Sequence, residues 1–148
     1  MRDARREGSP YPKADLTLRA LARAADLALA SAIATAVPQL GPPIAAVYLL
    51  VADGLSNGQS IGKRIFGVRT IVLPPQGATR GAPAGYRESV LRNAAFALIA
   101  LFFGIGVVGW LLVLLLGIPI VAFEAWMVWS DRLGIRIGDI FADTQVVD

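Results

Sequence analysis

The feature that most constrains this chain is an apolar run of 36 residues, Ala94 to Trp129, in which Glu124 is the only charged residue. As one straight helix this run would be about 54 Å long, whereas the hydrocarbon core of a bilayer is only about 30 Å thick. Gly104, Gly106 and Gly109 lie near its middle, where a turn would divide it into two spans. The run therefore predicts an integral membrane protein that contains a helical hairpin.

Two further apolar segments precede this run and predict a second hairpin. We expect an all-α membrane protein, a four-helix transmembrane bundle built from two hairpins. The alternative is three spans with one bent or re-entrant segment, because the second apolar segment is short for a span. The expected spans are 16–37, 43–56, 88–104 and 107–129, with a mobile tail at 1–15, a loop at 57–87 and a C-terminal segment at 130–148.

The positions of the basic residues predict the orientation of these spans. Six Lys and Arg lie in residues 1–23, six in 54–92 and two after Trp129, and the predicted turns at 38–43 and 104–109 contain none. Since basic loops stay in the cytoplasm, both termini and the central loop are expected there, in a multi-pass membrane protein. The high content of Ala, Gly and Arg suggests a bacterial source, and hence the bacterial inner membrane. A cleaved signal peptide ending at SAIATA (31–36) is disfavoured, because three charged residues interrupt its apolar stretch.

The composition excludes several classes of function. Of the 148 residues, 55% are hydrophobic and 17% are charged, and none is Cys or His. Disulfide frameworks, zinc sites and catalysis by thiol or imidazole groups are therefore excluded, and we expect no cofactor, no metal site and no enzymatic activity. The loop sequence GQSIGKRIFGVR (58–69) lacks the spacing of a phosphate-binding loop, and a cationic loop beside a membrane suits lipid headgroups. Nucleic-acid binding is not expected, because topology accounts for the basic residues.

The first predicted span carries ionisable residues that are costly in a membrane. Arg19, Arg23 and Asp26 follow the spacing i, i+4, i+7, so they share one helix face. Asp26 lies about 10 Å deeper than Arg19 and should face protein or a wet cavity, paired with an arginine or protonated. One alternative is an Arg–Asp clasp with a purely structural role.

Two features near the C-terminus add to this picture. Glu124 lies beside Trp126 and Trp129, which resemble an interfacial aromatic belt, so it is either an interfacial or a site residue. Residues 144–147 are β-prone and could pair with residues 68–73 on the cytoplasmic side. We therefore predict a short cytoplasmic β pairing beside the helical bundle.

These motifs together resemble the RDD family of small bacterial integral membrane proteins. The match consists of Arg19-x-x-Ala22-x-x-x-Asp26, then GQSIGKRIFGVR (58–69), then GDIFADTQVV (138–147), and it covers about residues 16–148. The family is named for an arginine and an aspartate of the first helix and a C-terminal aspartate, here Arg19, Asp26 and Asp139. Many members have a histidine where this chain has Gly138. The resemblance implies a transporter-like protein, and some members are associated with sodium/proton exchange.

Residues and resemblance together give two functional hypotheses. The first is a small secondary transporter that exchanges a monovalent cation or small solute, with protons as the counter-ion, through Asp26, with Arg19 biasing its pKa and Asp139 as a gate. A homo-oligomer is expected, since four short spans enclose little space. The second is a membrane accessory or assembly subunit of a larger complex, docked on a membrane protein partner, in which the charges act as a staple. The supporting residues are predicted to be Arg23, Arg136, Gln59, Ser60, Lys63, Glu124 and Thr144.

Overall fold

The computed structural model describes residues 9, 11–37, 39–74 and 80–148, and this part is mostly helical with one small antiparallel sheet. Short 3₁₀ turns follow the second and fourth helices (Ala52–Gly54 and Phe103–Ile105), and a π-helical turn (Val113–Gly117) joins the fifth to the sixth. The helices are α1 (Leu16–Ala36), α2 (Gly41–Val51), α3 (Ile61–Ile65), α4 (Tyr86–Phe102), α5 (Gly106–Leu112), α6 (Ile118–Ser130) and α7 (Ile137–Ala142), and the strands are β1 (Arg69–Val72), β2 (Ala82–Pro83) and β3 (Thr144–Val147).

Helices α1 and α2 form the first hairpin. Asp15 caps α1, because its carboxylate accepts hydrogen bonds from the backbone N–H groups of Thr17 and Leu18 at 2.7 and 3.0 Å. Prolines occupy the first turn of α2, where a missing N–H is not needed. The two helices meet closely at Gly41, where a Cβ atom would overlap the backbone carbonyl of α1.

The apolar run forms a second hairpin rather than one rod. Within the described residues, one helical stretch, Tyr86–Ser130, is long and apolar enough to cross a membrane by length and composition. At Gly106, however, the backbone has φ +61°, a conformation that glycine adopts freely. Gly117 consequently lies against Ile99: a Cβ atom added at Gly117 would be 3.3 Å from Ile99 Cγ2. In a straight helix the two residues would be about 27 Å apart. The chain thus reverses at the predicted glycines, while the full four-span bundle stays a prediction.

A proline explains the π-helical turn in the returning arm. The ring of Pro119 collides with the carbonyl four residues earlier in a regular α-helix. That carbonyl belongs to Leu115, inside the π-helical turn, whose wider spacing relieves the collision.

The predicted β pairing is present. Strand β1 pairs antiparallel with β3, with Arg69 opposite Val147 and Val72 opposite Thr144, and β2 adds a third strand that the sequence did not predict. We had expected an all-α fold with one short β pairing beside it. The structure instead has a three-stranded sheet beside the helices. Of the predicted mobile tail, residues 1–8 and 10 lie outside the described residues, and the remainder contacts the sheet: Ser9 Oγ donates to Gln145, and Ala14 is buried beside Val146.

Apolar side chains are unevenly distributed between core and surface. The core between α1, α2 and α4 contains small residues and one aromatic ring, that of Phe96. On α5 and α6 large hydrophobic side chains face outward, with Val107 and Trp129 each 78% exposed. Apolar surface of this extent is typical of a helix that faces lipid or a partner.

Candidate functional site: a charged cavity between α1 and α6

A cavity of about 440 Å³ lies between α1 and α6. Its walls are apolar residues of these two helices, such as Ala24 and Val128, and side chains of α4 and of Arg136, the residue before α7, also line it. Its other lining residues are mostly charged: Arg19, Arg23, Lys63, Arg92, Glu124 and Arg136. The volume is that of a small-molecule site.

Asp139 is the central acid of the charge network beneath this cavity. Its carboxylate lies 3.0 Å from Arg19 Nη2, 2.9 Å from Arg92 Nη2 and 3.7 Å from Arg136 Nε. Burial favours the protonated form, but the guanidinium groups of Arg92, Arg136 and Arg19 outweigh it and lower the pKa of Asp139 to about 2. Asp139 is therefore ionised at neutral pH and joins α1, α4 and α7.

Glycine at position 138 allows this arrangement. A Cβ atom at Gly138 would overlap the backbone carbonyl oxygen of Arg92, so α7 packs directly on the backbone of α4. A histidine at this position, as in many members of the RDD family, would not fit without separating the two helices.

A second group of charges surrounds Asp53. Lys63 Nζ lies 2.5 Å from Asp53 Oδ1, Arg92 Nη1 lies 3.5 Å from Oδ2, and Asn93 Nδ2 donates to Oδ2 at 3.3 Å. Lys63 Nζ also donates to Thr70 at 2.8 Å, which ties α3 to β1. Burial and the nearby Arg92 guanidinium lower the pKa of Lys63, against the carboxylate of Asp53, which raises it.

Glu124 completes the network from α6. Its carboxylate accepts a hydrogen bond from Arg136 Nη1 at 3.0 Å, and Arg136 Nη2 donates to Asn93 Oδ1 at 3.0 Å. Glu124 is 6% exposed, so it faces protein rather than the membrane interface beside the tryptophans.

Asp26 lies apart from these ion pairs, so of the two expected states, paired with an arginine or protonated, the structure does not show the ion pair. Its carboxylate accepts hydrogen bonds from Tyr48 Oη at 2.8 Å, Ser60 Oγ at 2.5 Å and the N–H of Gly62 at 2.8 Å. The approach of α3 to α1 is very close, because a Cβ at Gly62 would overlap the carbonyl oxygen of Ala22. Asp26 thus holds α3 against α1 and α2 through neutral donors.

Arg23 lines the cavity but is not part of this network of ion pairs. None of the ion pairs between described residues involves it, and its guanidinium lies 3.7 Å from the ring centroid of Phe96 in a cation–π contact. Its Nε and Nη2 atoms are buried and have no hydrogen-bond partner, and the same holds for Nε and Nη1 of Arg92. Burial of guanidinium N–H groups without acceptors costs free energy, so we take these donors as an indication that a ligand binds here.

The structure brings most, but not all, of the predicted site residues together. Arg19, Arg23, Lys63, Glu124 and Arg136 line the cavity, and Asp139 lies beneath it. Asp26 and Ser60 form the separate α1–α3 contact. Gln59 donates to the carbonyl of Val68 at 3.0 Å, and Thr144 is fully buried in β3, so neither reaches the cavity.

Three polar residues of the network were not among the predicted site residues: Asp53, Arg92 and Asn93. A signal for two of them existed, because Ser89, Arg92, Asn93 and Phe96 follow i, i+3, i+4, i+7 and share one face of α4. A polar stripe at the start of a long apolar run indicates a helix face turned toward protein. Asp53 gave no such signal, since its position near the end of an apolar segment is also typical of a solvated end.

Within the residues that the structure describes, no cluster of acidic side chains has the arrangement of a metal site. Comparisons with models of known families, with curated proteins and with solved structures find nothing that matches this chain. The function is therefore inferred from the geometry of the cavity.

Proposed function

We propose that this chain is a multi-pass inner-membrane protein of the RDD type that works as a small secondary transporter, with the cavity between α1 and α6 as its solute site. The observation that carries the proposal is the combination of a cavity of small-molecule size with charged side chains whose donors are not all used within the protein. Intramembrane ionisable groups that face a cavity are typical of solute pathways.

A membrane location is supported by the outer surface of the second hairpin. Its large hydrophobic side chains are exposed along α5 and α6, whereas the charged side chains turn inward. This distribution is the reverse of that in a soluble domain and suits a bundle in lipid. With the basic loops in the cytoplasm, the cavity opens near Trp129, at the cytoplasmic interface.

The geometry favours a solute over a bare cation. The side chains that line the cavity and their ion-pair partners leave an excess of positive charge, so a sodium or potassium ion would meet repulsion there. The hydrogen bonds of Asp26 suit a structural carboxylate that fixes α3, rather than one that exchanges protons for cations. We therefore place transport at the cavity and a positioning role at Asp26.

Proteoliposomes with an internal pH dye test this function. Gradients of sodium, lithium and potassium would be imposed as chloride and as phosphate salts, with protein-free vesicles as the blank. We expect flux that follows the anion, falls by tenfold or more in Arg23→Gln, and is unchanged in Arg64→Gln, which removes an equal charge from an exposed position. Flux that follows the cation and is unaffected by Arg23→Gln would contradict a solute site in the cavity.

A membrane accessory subunit is the second candidate, because the network links five helices. Asp139, Asp53 and Glu124 each join residues of different elements. In this case neutral variants of the network would lose expression or assembly with a membrane partner, and the wild type would show no flux of any probe.

A further inference from the structure

We propose that the ligand of this cavity carries a phosphate group, which Arg23 and Arg92 bind through N–H groups that have no hydrogen-bond acceptor within the protein. This inference rests on the proposed solute site, and it goes further in naming the chemical class of the ligand. The group is either the headgroup of a phospholipid that enters from the bilayer or the phosphate of a small soluble compound.

The charge balance of the region leaves one positive charge without a partner. Asp139, Asp53 and Glu124 pair with Arg19, Arg92, Lys63 and Arg136, while the carboxylate of Asp26 is held by three neutral donors. With Asp26 counted, five basic side chains face four acidic ones. The excess lies at Arg23, the basic side chain of this cluster without an ion pair among the described residues. An anion with one or two negative charges would compensate it.

The pattern of unused donors indicates phosphate. The Nε and Nη2 groups of Arg23 lie on one edge of the guanidinium plane and form the fork that binds two oxygens of an oxyanion. A carboxylate would place both of its oxygens on this fork, whereas a phosphate group has further oxygens beyond the two that the fork binds. Arg92 adds two more buried donors without hydrogen-bond acceptors beside the same cavity, and a phosphate group has oxygens left for them.

The walls of the cavity suit an amphiphile as well as a soluble compound. Above the arginines the lining is apolar, with Leu16, Ala20, Leu27 and Val128 among its residues. Trp129 also lines the cavity, and Lys13 donates to the carbonyls of Trp129 and Asp131 at 3.0 Å each. An acyl chain could leave between α1 and α6 while its phosphate stays on Arg23.

Binding to the purified full-length chain in a maltoside detergent tests this inference without any transport step. One arm titrates inorganic phosphate; the other titrates phosphatidate, with diacylglycerol of the same acyl chains as its neutral match. The readouts are the shift in melting temperature and, for the lipids, retention in native mass spectrometry. We expect phosphate-dependent binding in at least one arm: binding of phosphatidate alone identifies a lipid headgroup, and binding of inorganic phosphate identifies a soluble source.

Three variants and one control decide whether Arg23 is the binding group. Arg23→Gln should weaken binding about tenfold or more, and Arg23→Lys should also weaken it, because it keeps the charge but removes the fork. Ala24→Leu should block the cavity while it keeps every charge, and it decides the question if Arg23→Gln does not fold. Arg87→Gln, which removes an equal charge from an exposed position outside the cationic loop 58–69, should bind within about twofold of the wild type.

The inference is overturned if the folded protein binds neither probe, or if Arg23→Gln or Ala24→Leu binds as tightly as the wild type. Binding without flux would retain the phosphate site and remove the transporter. Flux without phosphate binding would retain the transporter and remove the phosphate site.

Discussion

The carboxylate of Asp26 shows how one residue can look like a transport group in the sequence and be a positioning group in the structure. Its spacing from two arginines predicted an ion pair, because spacing along a helix shows which residues share a face. The spacing does not show what packs against that face. The hydroxyl of Ser60 and the N–H of Gly62, which arrive from α3, occupy the carboxylate instead.

Replacement of Asp26 should therefore act first on stability. Asp26→Ala leaves three donors without an acceptor and is expected to lower the free energy of unfolding by about 3 kcal/mol, since each buried unsatisfied group costs about 1–3 kcal/mol. Asp26→Asn keeps an acceptor for Gly62 and should cost about half as much. Thermal unfolding of the detergent-purified variants measures both, with Asp15→Asn, at an exposed cap, as the control. Equal stability of Asp26→Ala and the wild type would show that the carboxylate does not hold α3.

The ion pairs of Asp139 predict a loss of stability in acid. Because the pKa of Asp139 is lowered in the folded protein, from 3.8 to about 2, its contribution is complete above pH 4 and disappears as the pH falls through 2. The expected loss is about 2 kcal/mol. Melting temperatures of the wild type and Asp139→Asn between pH 7 and 2.5 test this. The variant should be less stable at pH 7 and should lose less between pH 4 and 2.5; parallel curves would contradict the role given to Asp139.

At the level of helices and strands, the sequence predicted those elements whose causes are local. The glycines at the centre of the apolar run predicted its reversal, and β-prone residues predicted the pairing of β1 with β3. Strand β2 escaped prediction because it has only two residues, one of them proline. Local sequence patterns predict where a helix or strand lies. Contacts between distant elements depend on how closely their backbones can approach each other, and no local pattern shows this.

The contact between α4 and α7 is such a case and gives a prediction at this level. In Gly138→Ala the new methyl group would overlap the carbonyl of Arg92, so α7 must move and Asp139 must leave Arg92 Nη2, now 2.9 Å away. We expect a loss of about 2 kcal/mol in thermal unfolding, typical of overpacking. Gly85→Ala is the control, because its Cβ would meet only the flexible carboxylate of Glu88. If both variants are equally stable, α7 does not pack on α4 in this way.

At the scale of the whole molecule, the charged residues divide into two populations that the sequence alone could not separate. Those in the loops predict orientation, whereas those on the inner helix faces form the network around the cavity. Arg92 belongs to both groups. It is one of the six basic residues in 54–92 from which the orientation is predicted, and it is only 2% exposed in the structure. Residues of this kind explain why a helical stretch able to span a membrane could be predicted from composition, while the site required three-dimensional contacts.

The predicted arrangement of four spans makes a clear prediction for accessibility from the two sides of the membrane. The chain contains no cysteine, so single cysteines can be introduced without background. Leu40→Cys and Val107→Cys lie at the two turns without basic residues, and Arg80→Cys and Ser130→Cys lie on the opposite side; all four positions are exposed. In intact cells a membrane-impermeant maleimide should label only the first two, and permeabilisation should expose the other two. With a re-entrant second segment and three spans, Arg80→Cys and Ser130→Cys would be labelled in intact cells together with Leu40→Cys, and Val107→Cys would not. This result would replace two hairpins by the three-span arrangement, and it would also move the opening of the cavity away from the cytoplasmic interface.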